Sequence, residues 1–364
     1  MKFGLFYEMY VPPADRAEEA RVVRQTVDQI VHADRHNWDY VWLTEHHFLG
    51  GFSHMSAPEV VFGAAAYATS HIRFGFGLAL TPPQYNHPVR IAERVAMLDC
   101  LSGGRVDLGS GRSTTPEELY GFGIDPETSR AQWEEGLEAV ARLLAEEKVS
   151  FDGDYLKMPP RTTYPRPVQQ PHPPLWVGGV GPGNAERAAK RGLGMLFFAL
   201  KADPPSLEAS IAAYKENITS AEPICGVVNN QTAGFVNGLC SYDRAAVRTL
   251  AAEKTVEHTF AGNQYMLNGW PDGAPTKSYA HVGAGETKMF FDAISADPKA
   301  VADGLLEGGF VMAGTPEDCA KTLDAFHQVG VDQVIIHMQM GNVPHERIME
   351  SIELIGKELI PRYR

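Results

Sequence analysis

Cysteine is scarce and scattered. Cys100, Cys225, Cys240 and Cys319 are the four in 364 residues, and no two form a CxxC pair. That spacing excludes a disulfide framework and a thiolate zinc site, and it fits a reducing compartment. Long apolar runs are missing too. No stretch of about 18 apolar residues occurs, and the opening run at residues 1–7 turns polar at Glu8, too early for the core of a secretion signal. The expected address is the cytoplasm. Positive charge is in deficit, with 32 Lys and Arg against 45 Asp and Glu, a net −13, and no basic cluster stands out. Nucleic acid and anionic membrane are therefore not expected as partners, and the acidic excess reads as solubility. Neither HExxH nor GxGxxG at dinucleotide spacing is present, so a zincin-type metal helix and a dinucleotide domain are not expected either.

What is present is a rhythm. Hydrophobic residues make up 44% and charged residues 21%, enough for a substantial core. Residues 3–6 read as a strand and 14–37 as a helix, with Val23, Val27, Ile30 and Val31 on one face. Strands follow at 40–43, 72–80 and 105–109. The helices between them lie at 57–70 and at 88–101, the latter with Pro88 in its first turn and Ser102-Gly103-Gly104 as its stop. A helix at 129–148 precedes strands five and six at 175–177 and 195–200, which flank a helix at 184–191. Strands seven and eight fall at 232–240 and 332–338, and 344–359 is the closing helix. Eight β-α units in unbroken alternation predict the α/β class, a single (β/α)₈ barrel domain over residues 1–364. Two stretches interrupt it, one after strand four (149–174, rich in proline and aromatics, with a hairpin turn at Asp152-Gly153-Asp154) and one after strand seven (262–310, rich in Gly and Pro). Both are expected as lids or substrate walls, or else as dimerisation arms.

Three constellations fall at expected strand ends. The first is Thr44-Glu45-His46-His47, where an apolar strand stops in a carboxylate and two imidazoles. Histidine titrates near neutrality and suits acid–base work, and Glu45 could fix a ring tautomer. The other readings are histidines satisfied in a polar layer and a metal site, which adjacent histidines pointing apart serve poorly. The second is Gly178-Gly179-Val180-Gly181-Pro182-Gly183-Asn184, a glycine turn opening a helix. Converging backbone N–H groups there can cradle an anion, although a plain tight turn looks the same. The third is Gly109-Ser110-Gly111-Arg112, whose arginine suits bidentate phosphate or carboxylate binding, or a surface ion pair. On neighbouring strands, the second and third together suggest one phosphorylated ligand.

These residues resemble a known family. The segment Val41-Trp42-Leu43-Thr44-Glu45-His46-His47-Phe48 is similar to the VWxxEHHF signature of the bacterial luciferase catalytic subunit and its monooxygenase relatives. His87-Pro88-Val89-Arg90, Ala92-Glu93, Leu98-Asp99 and Ser102-Gly103-Gly104-Arg105 resemble the HPVRxAE…LD…SxGR block that follows. Ala188-Ala189-Lys190-Arg191-Gly192 and Gly314-Thr315-Pro316-Glu317 match later family segments, so the resemblance spans nearly the whole chain.

The resemblance implies a barrel that binds FMN and uses the reduced form, FMNH₂, with O₂, oxygen adding at the flavin C4a position. A mainly hydrophobic small organic substrate is then oxygenated, by hydroxylation or Baeyer–Villiger-type insertion. It implies FMNH₂ supplied by a separate NAD(P)H:flavin reductase, and a homodimer. His46 becomes the active-site imidazole, with Glu45 and His47 beside it. Arg112, Gly179, Val180, Gly181 and Asn184 fall on FMN phosphate contacts. Gly77 and Leu78 fall on a non-prolyl cis peptide against the isoalloxazine. Gly111 stands where the light-emitting enzymes carry a reactive cysteine, and Val180 and Gly181 replace an acidic residue and a serine, so light emission is not implied. The aromatic residues Phe48, Phe52, Tyr120 and Phe122 suggest a hydrophobic substrate or simple loop packing. A deazaflavin-dependent oxidoreductase and a non-catalytic flavin-binding protein share the scaffold and are the alternatives.

Overall fold

Strands that face a barrel interior on one side and helices on the other must be apolar on both. The burial of these strands follows that rule. In the computed structural model, which describes residues 1–11, 16–198, 205–283 and 285–364, β1 (Lys2–Tyr7) is buried from Phe3 onward and β2 (Tyr40–Leu43) throughout. They are followed by β3 (Arg73–Leu80), β4 (Val106–Gly111), β5 (Val149–Asp152), β6 (Lys157–Arg161), β7 (Leu175–Gly179), β8 (Gly194–Phe197), β9 (Thr232–Cys240), β10 (Val311–Gly314) and β11 (Gln333–His337). Eight of these, β1, β2, β3, β4, β7, β8, β9 and β11, pair in parallel in that order and close through β11 onto β1. All their C-terminal tips therefore lie on one face.

The helices wrap the outside: α1 (Arg16–Arg35), α2 (Pro58–Ala68), α3 (Pro88–Ser102), α4 (Pro116–Gly121), α5 (Ser129–Ala145), α6 (Pro182–Lys190), α7 (Pro205–Ile218), α8 (Arg244–Leu267), α9 (Ala280–Gly283), α10 (Glu286–Ala296), α11 (Pro298–Glu307), α12 (Pro316–Val329) and α13 (His345–Leu354). Their ends are set by local chemistry. In α12, Thr315 and Asp318 form a capping box, Pro316 takes the first turn, and Gly330 closes the helix at φ +86°. The expected (β/α)₈ barrel is present. Of the expected elements, Ala14 and Asp15 in the first helix and Ala199 and Leu200 in the sixth strand lie outside the described residues.

Two stretches interrupt the alternation. Residues 149–174 follow α5, and β5 and β6 pair as an antiparallel hairpin whose turn is held against that helix, the Asp154, Tyr155 and Leu156 backbone N–H groups donating to Glu135. Gln169 then bonds to Asp99, to the Val106 carbonyl and to Arg73, the last two at the starting ends of β4 and β3. Residues 262–310 are largely helical. They hold the end of α8 and then α9, α10 and α11, and a short extra strand, β10, follows and pairs with the distal half of β9. The glycines and prolines there punctuate helices: Gly285 caps α10, and Asp297 with Pro298 opens α11.

Among the described residues no helix is long and apolar enough to cross a membrane. Packing is tightest where α5 meets the tip of β3, since a Cβ on Gly136 would sit 1.9 Å from the Thr81 carbonyl oxygen. Gly136→Ala should therefore lower the unfolding free energy by about 1–3 kcal/mol, read as a lower urea midpoint with an unchanged slope. An unchanged midpoint would show that α5 can shift freely.

Candidate active site

The mouth of the barrel is built from strand tips. Leaving β2, the chain runs through Thr44, Glu45, His46 and His47, as expected. Each side chain there is held by a named partner. His47 Nε2 lies 3.2 Å from Glu45 Oε1, while Glu45 Oε2 accepts the Leu80 backbone N–H at 2.9 Å, tying the tip of β2 to the tip of β3. Glu45 thus fixes His47, and a different carboxylate fixes His46.

That carboxylate is Glu118, the third residue of α4 and fully buried. Its Oε1 accepts from His46 Nδ1 at 3.2 Å and from the His47 backbone N–H at 2.9 Å, and its Oε2 accepts the hydroxyls of Ser113 and Thr115. Burial alone would raise its pKa, but His46 and these donors outweigh it and hold the group below the ordinary glutamate value. Burial would likewise depress His46. The charge and hydrogen bond of Glu118, helped by Glu8 and Glu45, reverse this and raise its pKa. A carboxylate can only accept, so Nδ1 carries the proton and Nε2 is the working nitrogen. Nε2 lies 3.9 Å from Glu8 Oε1 at the tip of β1.

Sequence reading passed over Glu118. Its signal was Thr115-Pro116-Glu117-Glu118, the pattern of an N-capped helix with a carboxylate at its third position, and Thr115 does cap α4. Backbone strain gathers here as well. Ser113, Phe48 and Met9 hold φ values of +68°, +66° and +53° in the loops after β4, β2 and β1, and such outliers cluster at functional sites.

The expected cofactor residues divide into two groups. The Gly77–Leu78 peptide is cis. Leu78 is nested among glycines: a Cβ on Gly111 or on Gly178 would fall 2.9 Å from its Cδ1, and one on Gly109 would fall 2.8 Å from its Cδ2. Gly77, Leu78 and Gly111 thus form one surface with the tip of β7. The turn Gly179-Val180-Gly181 opens α6, with Gly181 at φ +82° and space free around its Cα. Asn184 donates to the Val180 carbonyl and accepts from Arg187, a cation to which sequence reading gave no role. Arg112 stands apart from this turn. Its guanidinium stacks on Tyr279 at 4.4 Å and donates to Ser129 and to the Ser278 carbonyl. Among the described residues no hydrogen bond or ion pair joins it to the α6 turn.

Of the loop aromatics, Phe52 packs on His46 and Phe122 on His47, at centroid distances of 5.7 and 5.0 Å. Phe48 is largely exposed, and Tyr120 meets Trp270 edge-on. Tyr279 and Trp270 belong to the segment after β9, so that insert reaches the mouth, as expected of it. Among the described residues two groups could hold a metal ion, Glu8 with His258 and His337, and His32 with His36 and Glu353. Neither was singled out from sequence.

Comparison with known proteins gives a consistent picture. The family model for luciferase-like monooxygenases matches residues 1–333. The chain is 33% identical to 4-hydroxyprotoasukamycin monooxygenase of Streptomyces nodosus subsp. asukaensis, over 91% of this chain and 84% of that protein. It is 24% identical to the oxygenase component of a flavin-dependent trigonelline monooxygenase of Acinetobacter baylyi, over 100% and 96% of the two chains. The crystal structure of monooxygenase RslO1 from Streptomyces bottropensis superposes with a TM-score of 0.80 at 25% identity, with 100% of each chain covered.

The Glu118–His46 pair makes a spectroscopic prediction that needs no substrate. In Glu118→Gln the His46 imidazole should titrate at lower pH than in the wild type, because the neutral amide no longer favours the charged ring. The same variant should lose about 1–3 kcal/mol of stability, because donors that faced a carboxylate now share an amide. Imidazole ¹⁵N NMR across the pH range measures the first effect, and an unmoved midpoint would remove Glu118 from control of His46.

Proposed function

We propose, for a chain that belongs to the luciferase-like monooxygenase family, that it is the oxygenase half of a two-component flavin system. Reduced FMN would come from a separate NAD(P)H:flavin reductase and be held at the barrel mouth. A mainly hydrophobic small organic substrate would be oxygenated there, by hydroxylation or Baeyer–Villiger-type insertion. The observation that carries this reading is His46, a mostly buried imidazole fixed at Nδ1 by a sealed carboxylate, with Nε2 left for acid–base work among the strand tips. The relationship to an oxygenase component supports the separate reductase.

The residues present fit FMN. An anion is served by the N-terminus of α6, where the helix dipole, the open backbone at Gly181, Asn184 and Arg187 come together. Arg112, half-buried on Tyr279, is the second cation we assign to the phosphate. Gly77, Leu78 and Gly111 offer an apolar surface to one face of a flat ring system. When bound, reduced FMN would supply the two electrons that activate dioxygen, and dioxygen the oxygen atom that is transferred.

The protein supplies proton control and dryness. His46, its pKa raised, keeps a proton nearer to neutral pH than an ordinary buried histidine would, and can release it from Nε2 toward the mouth. Glu118 holds the ring in one tautomer throughout. Phe52 and Phe122 shield the two imidazoles from water.

Two measurements test this. Apoprotein titrated with FMN should bind it about tenfold or more tightly than riboflavin, and Arg187→Ala should erase most of that difference, since a charge-assisted contact to phosphate contributes about 1.5–3 kcal/mol. Affinity for a deazaflavin cofactor with none for either redox form of FMN would refute the assignment. His46→Ala should cut coupled product formation by about 10²-fold or more while FMN affinity stays within a few-fold. Full product yield in that variant would exclude His46 from the chemistry.

A further inference from the structure

Glu8, His258 and His337 are each more than nine-tenths buried. They come from the tip of β1, from α8 and from the last residue of β11, and one donor atom from each lies within 4.8 Å of the other two. Glu8 Oε2 takes a short hydrogen bond from His258 Nε2, and Glu8 Oε1 faces His46. Burial would raise the Glu8 pKa, but His258, His337 and His46 outweigh it and hold Glu8 below the ordinary value, as a carboxylate.

His337 is the unusual member. Its Nδ1 lies 3.2 Å from the amide oxygen of Asn237, which can only accept, so the ring proton sits on Nδ1 and Nε2 carries a lone pair. That Nε2 is buried and has no hydrogen-bond partner among the described residues. Burial, reinforced by the neighbouring His258, pushes the His337 pKa down to about 3, so the ring stays neutral and the lone pair stays free. A buried acceptor left without a donor is costly, and this one is short of a single donor. Aromatic rings pack on the two imidazoles: Phe6 and Phe235 lie 5.4 and 6.0 Å from the His337 ring, and Phe52 lies 4.8 Å from His258.

We propose that His337 Nε2 receives the hydroxyl proton of the substrate in a hydrogen bond, and that the substrate class is an aromatic or other ring compound bearing a free hydroxyl. This deepens the oxygenase reading and rests on it. Glu8 Oε2 already accepts from His258 Nε2 and Glu8 Oε1 faces His46, so a cation would find no free carboxylate to pair with, and an ammonium is disfavoured. A carboxylate or phosphate ester has no proton to give and would face Glu8. A metal ion is less well served, because a ligating imidazole ordinarily has its second nitrogen hydrogen-bonded, whereas His258 Nδ1 has no partner among the described residues. The aromatic rings around His337 give that hydroxyl apolar surroundings, which suit a donor carried on an apolar ring.

The test compares 4-methylphenol with 4-methylanisole, which lacks the proton, by calorimetric titration of the FMN-loaded protein. The phenol is expected to bind about tenfold or more tightly. His337→Phe should bring the phenol down to the level of the ether while leaving the ether and FMN unchanged. Asn237→Leu, which frees the ring tautomer, should reduce the preference in part, and retained FMN binding reports that each variant is folded. Equal binding of the two probes by the wild type, or a preference that survives His337→Phe, overturns the anchor. A preference lost on chelation and restored by Zn²⁺ overturns it in favour of a metal centre. The same titrations without flavin separate the two ideas: a phenol preference in a protein with no affinity for FMN supports the anchor and defeats the flavin reading.

Discussion

A carboxylate sealed from water needs donors to replace its hydration, and at Glu118 that requirement shapes the barrel mouth. Its donors come from two places, His46 and His47 after β2, and Ser113 and Thr115 after β4. One charge therefore fastens two strand tips that do not pair with each other, across the β3 tip that Glu45 fastens separately. The left-handed backbone at Ser113 fits this arrangement, since it belongs to the turn that brings the Ser113 hydroxyl to Glu118.

The ionisable groups beyond it continue as carboxylate and imidazole in turn. Glu118, His46, Glu8 and His258 follow one another from α4 across the mouth to α8. Each histidine has a carboxylate beside it, and each carboxylate a histidine, so the low-dielectric interior holds pairs rather than isolated charges. His337 ends the row as a neutral ring. A region that is polar at one rim and aromatic at its walls suits orientation of a largely apolar molecule by one polar group.

The alternation of strands and helices was legible because period-2 and period-3.6 patterns alternate without a gap. The residues after β2, the glycine tip of β4 and the turn into α6 were legible for the same reason: a strand that stops abruptly in polar residues marks a barrel rim. The helices within 262–310 were not legible because glycine and proline mark both loops and helix ends, and a single sequence does not distinguish Gly285 as a cap from Gly285 in a loop. The hairpin turn at residues 152–154 was legible, but its seat on Glu135 of α5 was not, because no local pattern joins groups 19 and 20 residues apart. Glu8, His258 and His337 escaped because nothing local ties residues roughly 80 to 330 apart. Only barrel closure brings β11 beside β1. Arg112 carried a phosphate-binding pattern, but its stacking on Tyr279 depends on a segment 167 residues away.

Leu78 lies against three glycines on two neighbouring strands, and that contact couples them. A Cβ at position 111 would stand 2.9 Å from Leu78 Cδ1, so a larger residue there needs Leu78 to turn aside. The room at one strand tip is thus set by the rotamer of a side chain on the next, and changes at positions 78 and 111 do not act independently.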